Sequence, residues 1–139
     1  MRFTAVPALN LALLLGGCMS LDVDVAQLCT GGLKPVTTAE LFFGRNIGDA
    51  PGVSDADWRA FIDQEVTPRF PDGLTVIDAA GQWRGPGGAV VREPSKVLLV
   101  VLSGAPGERD RLDAIRAAYK ARFRQDSVML LERQGCAGF

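Results

Sequence analysis

The 139-residue chain contains no histidine. That absence removes Ser-His-Asp and Cys-His nucleophilic machinery, the commonest general acid-base side chain, and the ligand that most zinc, copper and non-haem iron sites require. An enzyme built from this sequence would have to work with carboxylates, Arg, Lys or its single tyrosine, Tyr119. A dominant charge is missing too: 15 basic residues stand against 16 acidic ones, with no basic run or stripe, which argues against a nucleic-acid partner. No stretch supplies the roughly 20 apolar residues of a membrane-spanning helix. No motif for a metal or a cofactor is spelled out, and none is expected.

What is present begins with a segment that is not a fold element. Arg2 is followed by an apolar run through Ala5, Val6, Leu9 and Leu11 to Leu15, which breaks at Gly16 and Gly17 ahead of Cys18. This is the pattern of a signal peptide. Its closing residues, LGGC, resemble the bacterial lipobox, where cleavage precedes a cysteine that carries a glyceride; ordinary secretion is the alternative. Acyl chains such as palmitate on Cys18, each worth about 0.8 kcal/mol per buried CH2, would hold the protein at a membrane. Met19 stands where an aspartate would favour the inner membrane, so the expected location is the outer membrane, facing the periplasm.

Residues 1–17 therefore read as a leader and 18–36, with Gly31, Gly32 and Pro35 near its end, as a lipidated tether. Residues 37–139 are enough for one domain with a modest core and too few for two. Of the 3 cysteines, Cys18 takes the lipid, which leaves Cys29 and Cys136 as a pair in an oxidising compartment. A disulfide is expected; free thiols or a soft-metal site are the alternatives, and two sulfurs without histidine make a poor metal cage.

Within the domain, Thr38 to Arg45 reads as a strand and NIGDAPG as a turn-rich loop. Ser54 is placed as the N-cap of a helix, with Asp57 in the capping-box position and Val53 able to staple onto Trp58. Trp58, Phe61, Ile62 and Val66 fall on one face, and Pro68 ends the helix. A turn at RFPDG leads to a second strand, LTVIDAAGQW, with a break expected near Gly81. The glycine-rich loop at 85–88 leads to a third strand, apolar enough from Lys96 to Leu102 to be central. Leu112, Ile115, Tyr119 and Phe123 mark a second amphipathic helix, and Ser127 to Gln134 a fourth strand. The order βαββαβ, with right-handed crossovers, predicts a ferredoxin-like two-layer α+β sandwich with an antiparallel four-stranded sheet. In that topology the first and last strands are neighbours, so Cys29 and Cys136 come to the same edge.

ELFFGR, Trp58 in the first helix, TPRFPDGLTV, GQW, REPSKVLL and AAYKARFRQDSV occur in this order from about Thr37 to Phe139. Together they resemble a bacterial domain-of-unknown-function family, number 3574. The resemblance implies no established reaction or ligand.

Strand directions bring Arg45, Gln82, Trp83, Arg92, Glu93, Lys96, Gln125 and Ser127 to one edge with the N-terminus of the first helix. Polar groups around a tryptophan there make a candidate anion site, with Arg45, Gln82, Trp83, Glu93, Gln125 and Ser127 as its ligand-binding residues; an ordinary solvated rim with an Arg45–Glu93 ion pair is the plain alternative. Arg69 is placed at the other edge, at the C-terminus of the first helix. The consecutive apolar residues Leu41 to Phe43, Val97 to Leu102 and Val128 to Leu131 imply that the sheet face away from the helices is apolar and needs a cover. The composite expectation is a non-catalytic, membrane-anchored envelope lipoprotein that binds a partner or a second copy of itself. A small-anion binding module and a histidine-free enzyme of the dimeric α+β barrel type are the alternatives.

Overall fold

The computed structural model describes residues 29–138 other than 49 and 86. The expected leader, the lipidation site Cys18 and the tether up to residue 28 lie outside the described residues.

Four strands form one antiparallel sheet. The first, β1 (Lys34–Gly44), is joined by a small hairpin, β2 (Asn46–Ile47) and β3 (Ala50–Pro51), to helix α1 (Asp55–Phe61), which runs on as a π-helical segment over Ile62–Val66. Then come β4 (Thr75–Arg84), β5 (Val90–Leu102), helix α2 (Glu108–Phe123) and β6 (Met129–Ala137). The sheet order is β4-β5-β1-β6, so both helices are crossovers between strands that flank a third. This is the ferredoxin-like sandwich that the element order implied.

Local chemistry explains each boundary. Ser54 caps α1 through a complete capping box, its side chain accepting from the Asp57 N–H while the Asp57 carboxylate accepts from the Ser54 N–H. Pro68 has no N–H to give the Gln64 carbonyl, and ahead of it the helix widens until the Thr67 N–H reaches Ile62, five residues back. Arg69 then closes the helix end, donating to the Glu65 carbonyl at 2.5 Å and to its carboxylate at 2.8 Å. Helix α2 has no side-chain N-cap. Instead the Glu108 carboxylate reaches back and accepts from the Ser103 N–H and hydroxyl and the Gly104 N–H.

Three boundaries differ from the sequence reading. The first strand begins at Lys34, inside the stretch read as tether, because Lys34 to Thr37 continue the pairing of β1 with β6. The second strand does not break at Gly81, which pairs with Glu93 in an unbroken ladder. The fourth strand runs over Met129–Ala137 rather than Ser127 to Gln134, because the same pairing with the start of β1 carries it on to Ala137.

The core lies between sheet and helices. Ala39, Leu41 and Phe43 of β1 and Leu98 and Val100 of β5 meet Trp58 and Phe61 of α1 and Leu112, Ile115 and Tyr119 of α2, all buried. Tyr119 is the hub of an aromatic cluster, with ring centroids 4.7 Å from Phe43, 5.0 Å from Phe61 and 4.8 Å from Phe123. The first two are edge-to-face, a geometry that adds about 0.5–1.5 kcal/mol each beyond area burial. The Cys29–Cys136 disulfide is formed, with Cα atoms 5.6 Å apart, and ties the approach to β1 to the end of its neighbour β6.

Candidate functional site

At one end of the sheet, polar residues from five segments converge on the chain around Gly44 to Asn46. Strand alternation decides which face each one serves. Phe43 pairs with Lys96 and Asp78 pairs with Lys96, so these three share the face that the helices cover. Lys96 is 7% exposed there, and its ammonium bridges Asp78 across the sheet and Asp55, the first residue of α1, at 3.4 Å. Arg45 approaches Asp55 from the other side at 3.0 Å and donates its Nε–H to the Val53 carbonyl at 2.9 Å. The hydrogen bond from Lys96, with the charge of Arg45 behind it, holds the Asp55 carboxyl below the usual range.

Gly44 itself is pinned from two sides. The Tyr119 hydroxyl donates to its carbonyl at 2.8 Å. On the other side lies the Glu93 carboxylate, so close that a Cβ on residue 44 would stand 2.5 Å from Glu93 Oε2. The same oxygen accepts from the Asn46 N–H at 3.4 Å. Burial pushes the Tyr119 phenol well above its usual range, the negative charge of Glu93 adding to that and Arg45 opposing it. It therefore acts as a hydrogen-bond donor that stays protonated. Gln125 donates to the Asn46 carbonyl at 2.5 Å, while Asn46 Oδ1 is buried without a hydrogen-bond partner among the described residues.

The expected site residues are thus divided. Arg45, Glu93 and Gln125 meet around Gly44 to Asn46, but Arg45 pairs with Asp55 rather than with Glu93. The reason is the two-residue period: Arg45 follows Phe43 onto the helix side, whereas Glu93, opposite Gly81, belongs to the open face. Gln82 lies beside Arg92 and Glu93 at a shallow cavity of about 390 Å³. Trp83 stands further out on the open face, opposite Val91, and Ser127 is exposed in the loop ahead of β6, outside this network. Asp55, Asp78, Asn46 and Tyr119 were not foreseen as members. Only register could have found Asp78, since it faces Lys96 across the sheet, and the spacing of Tyr119 marked it as core.

The open face is the other feature of note. Cross-strand pairing places Ile77, Val97, Phe42 and Met129 in one row across the sheet, and Leu99, Glu40 and Leu131 in the next. Ile77 is 47% exposed, Trp83 45%, Val101 38% and Met129 56%. The charges at its centre are Glu40 and Arg133, 3.5 Å apart.

Architecture and strand order define the chain's class: an α+β protein of the ferredoxin-like kind, with a closed polar edge and an open apolar sheet face. It belongs to the family described as "Protein of unknown function (DUF3574)", which matches residues 38–139. Among solved structures it is similar to a phage SAM lyase in complex with S-methyl-5'-thioadenosine, at 20% identity, over 85% of this chain and 95% of that one, with a TM-score of 0.59. A phage SAM lyase in the apo state is similar at 20% identity over 75% and 82% of the two chains, with a TM-score of 0.57. At such identity the likeness shows the fold. No curated protein matches the chain significantly.

Proposed function

We propose that this is a membrane-tethered envelope protein whose domain works by association, pairing with a second copy of itself through the open sheet face, and does not work by catalysis. The observation that carries this reading is the apolar open face. It leaves Ile77, Val101 and Met129 exposed in nearby rows and Trp83 further along β4, the kind of apolar exposure that marks an association surface. Its central charge favours a second copy: Glu40 and Arg133 already neutralise one another, so a face meeting its own image about a two-fold axis is matched at its centre, with Glu93 towards the polar edge accepting from the Asn46 N–H. The polar edge supports the non-catalytic half of the reading. Its charges are spent on each other, Lys96 on Asp55 and Asp78 and Arg45 on Asp55, and its phenol is held protonated against a backbone carbonyl. Cys18 is the anchor, with the domain in the periplasm at the outer membrane.

The test is the mass of the secreted chain from Met19 onward, by size-exclusion chromatography with light scattering across a concentration series. A dimer that Ile77→Lys converts to a folded monomer supports the reading. A monomer at every concentration overturns it.

A second reading, a small-ligand module, is favoured by one observation: the similar phage lyase has been solved with S-methyl-5'-thioadenosine, and here a cavity opens beside Gln82, Arg92 and Glu93. It expects S-methyl-5'-thioadenosine to raise the melting temperature of the wild type but not of Gln82→Ala or Arg92→Ala. No shift in the wild type would dispose of it.

A further inference from the structure

A cavity of about 640 Å³ lies at the opposite end of the sheet from the polar edge, bordered on the open-face side by Thr75, Leu99 and Val101. Its walls are the turn after α1, with Phe70 and Leu74, the end of β5 at Val100 and Leu102, and the first turn of α2 with Glu108 and Arg111. Its size falls in the range of small-molecule sites, roughly 300–1,000 Å³, and much of its wall is apolar.

The charged groups on this wall are not equivalent. Arg69 is consumed by the Glu65 carbonyl and carboxylate. Glu108 is 8% exposed and accepts three donors from Ser103 and Gly104, so its charge is answered at the start of α2. Arg111 is different. Its guanidinium lies over the Phe70 ring at 5.4 Å, its nearest carboxylate oxygen is Glu108 Oε1 at 3.9 Å, and its buried Nε has no hydrogen-bond acceptor among the described residues. A guanidinium held against an aromatic ring presents a planar fork that suits a carboxylate. Asp72, exposed in the turn, also borders the cavity and disfavours a ligand with more than one negative charge.

We infer that this cavity binds a soluble medium-chain monocarboxylate, its head on Arg111 and its apolar body against Phe70, Leu74 and Leu102. The inference is separable from self-association, since Arg111 and Phe70 lie outside the open face, although Val101 borders both surfaces.

The test is isothermal titration of the secreted, disulfide-bonded chain with octanoate, octan-1-ol and acetate. Octanoate should bind one to one, octanol at least tenfold more weakly, and acetate not measurably. Arg111→Gln should weaken octanoate tenfold or more and leave octanol unchanged, while Leu74→Trp should abolish both by filling the cavity. Should Arg111→Gln fail to fold, Arg111→Lys, which keeps the charge without the fork, should still weaken octanoate several-fold. Ile77→Lys, on the open face, should change nothing. Equal binding of octanoate and octanol, no octanoate binding at millimolar concentration, or indifference to Arg111 would overturn the assignment.

Discussion

Removing the Cys29–Cys136 bridge is the perturbation whose size the structure fixes most directly. The bond spans 107 residues, nearly the whole domain. In the chain-entropy treatment, a cross-link closing a loop of about 100 residues removes about 4.7 kcal/mol of freedom from the unfolded chain at 25 °C. Little of this should return through the folded state. Cys136 already sits opposite Pro35 in the β1–β6 ladder, which runs from Lys34 to Phe42 without help from the bridge. Against a domain stability of about 5–15 kcal/mol, the loss leaves a protein that is folded but close to its threshold. Urea unfolding of the Cys29→Ser/Cys136→Ser double variant, followed by tryptophan fluorescence and far-UV circular dichroism together, measures it. The expected result is a loss of about 3–5 kcal/mol, an unchanged native spectrum, and a steeper urea dependence, since the unlinked chain exposes more surface on unfolding. A loss under about 1 kcal/mol would refute the reasoning, because it would mean that the unfolded chain keeps its ends together without the bond.

Three further predictions rest on other parts of the fold. Tyr119→Phe removes the donor to the Gly44 carbonyl and keeps the ring cluster, so urea unfolding should show a cost of about 1–2 kcal/mol, the hydrogen bond plus a stranded acceptor. Gly52→Ala should cost about 1–3 kcal/mol, since its Cβ would stand 2.6 Å from Ile47 Cβ, whereas Gly44→Ala meets only the far end of the Glu93 side chain and should cost less; equal effects would contradict the contacts. Burial works against ionising Glu108, but the hydrogen bonds from Ser103 and Gly104 outweigh it and hold its carboxyl below the ordinary 4.5. A depressed folded pKa contributes stability above the ordinary value and loses it as pH falls further, so the melting temperature should decline below pH 4.5 and Glu108→Gln should flatten that decline.

The fold was legible because its signals are local or periodic. The Ser54/Asp57 box, the helical spacing of Leu112, Ile115, Tyr119 and Phe123, and the glycine-rich turn before β5 each act within a few residues. The pairing of Cys29 with Cys136 followed from the cysteine count of an exported chain and agreed with strand order, and it stands in the structure. The polar edge was legible only in part, because its partners are set by register across strands. Arg45, Glu93 and Gln125 were brought to one end correctly, yet which face each side chain takes depends on a one-residue count along β1 and β5. The burial of Lys96 had no signal in sequence at all: it reads as one of the polar residues at the sheet edge, heading an apolar run, and only the arrival of Asp55 from α1 and Asp78 from β4 makes its burial tenable. The apolar open face was foreseen from consecutive apolar residues, since a strand covered on one side alone would alternate.

The most direct test of the central claim, that the open face is an association surface, is the mass of the secreted chain in solution, compared with Ile77→Lys and Met129→Glu by light scattering. The account predicts a dimer for the wild type and folded monomers for both variants, whose exposed positions cost the single domain little. A wild-type monomer, or variants that remain dimeric, would contradict it.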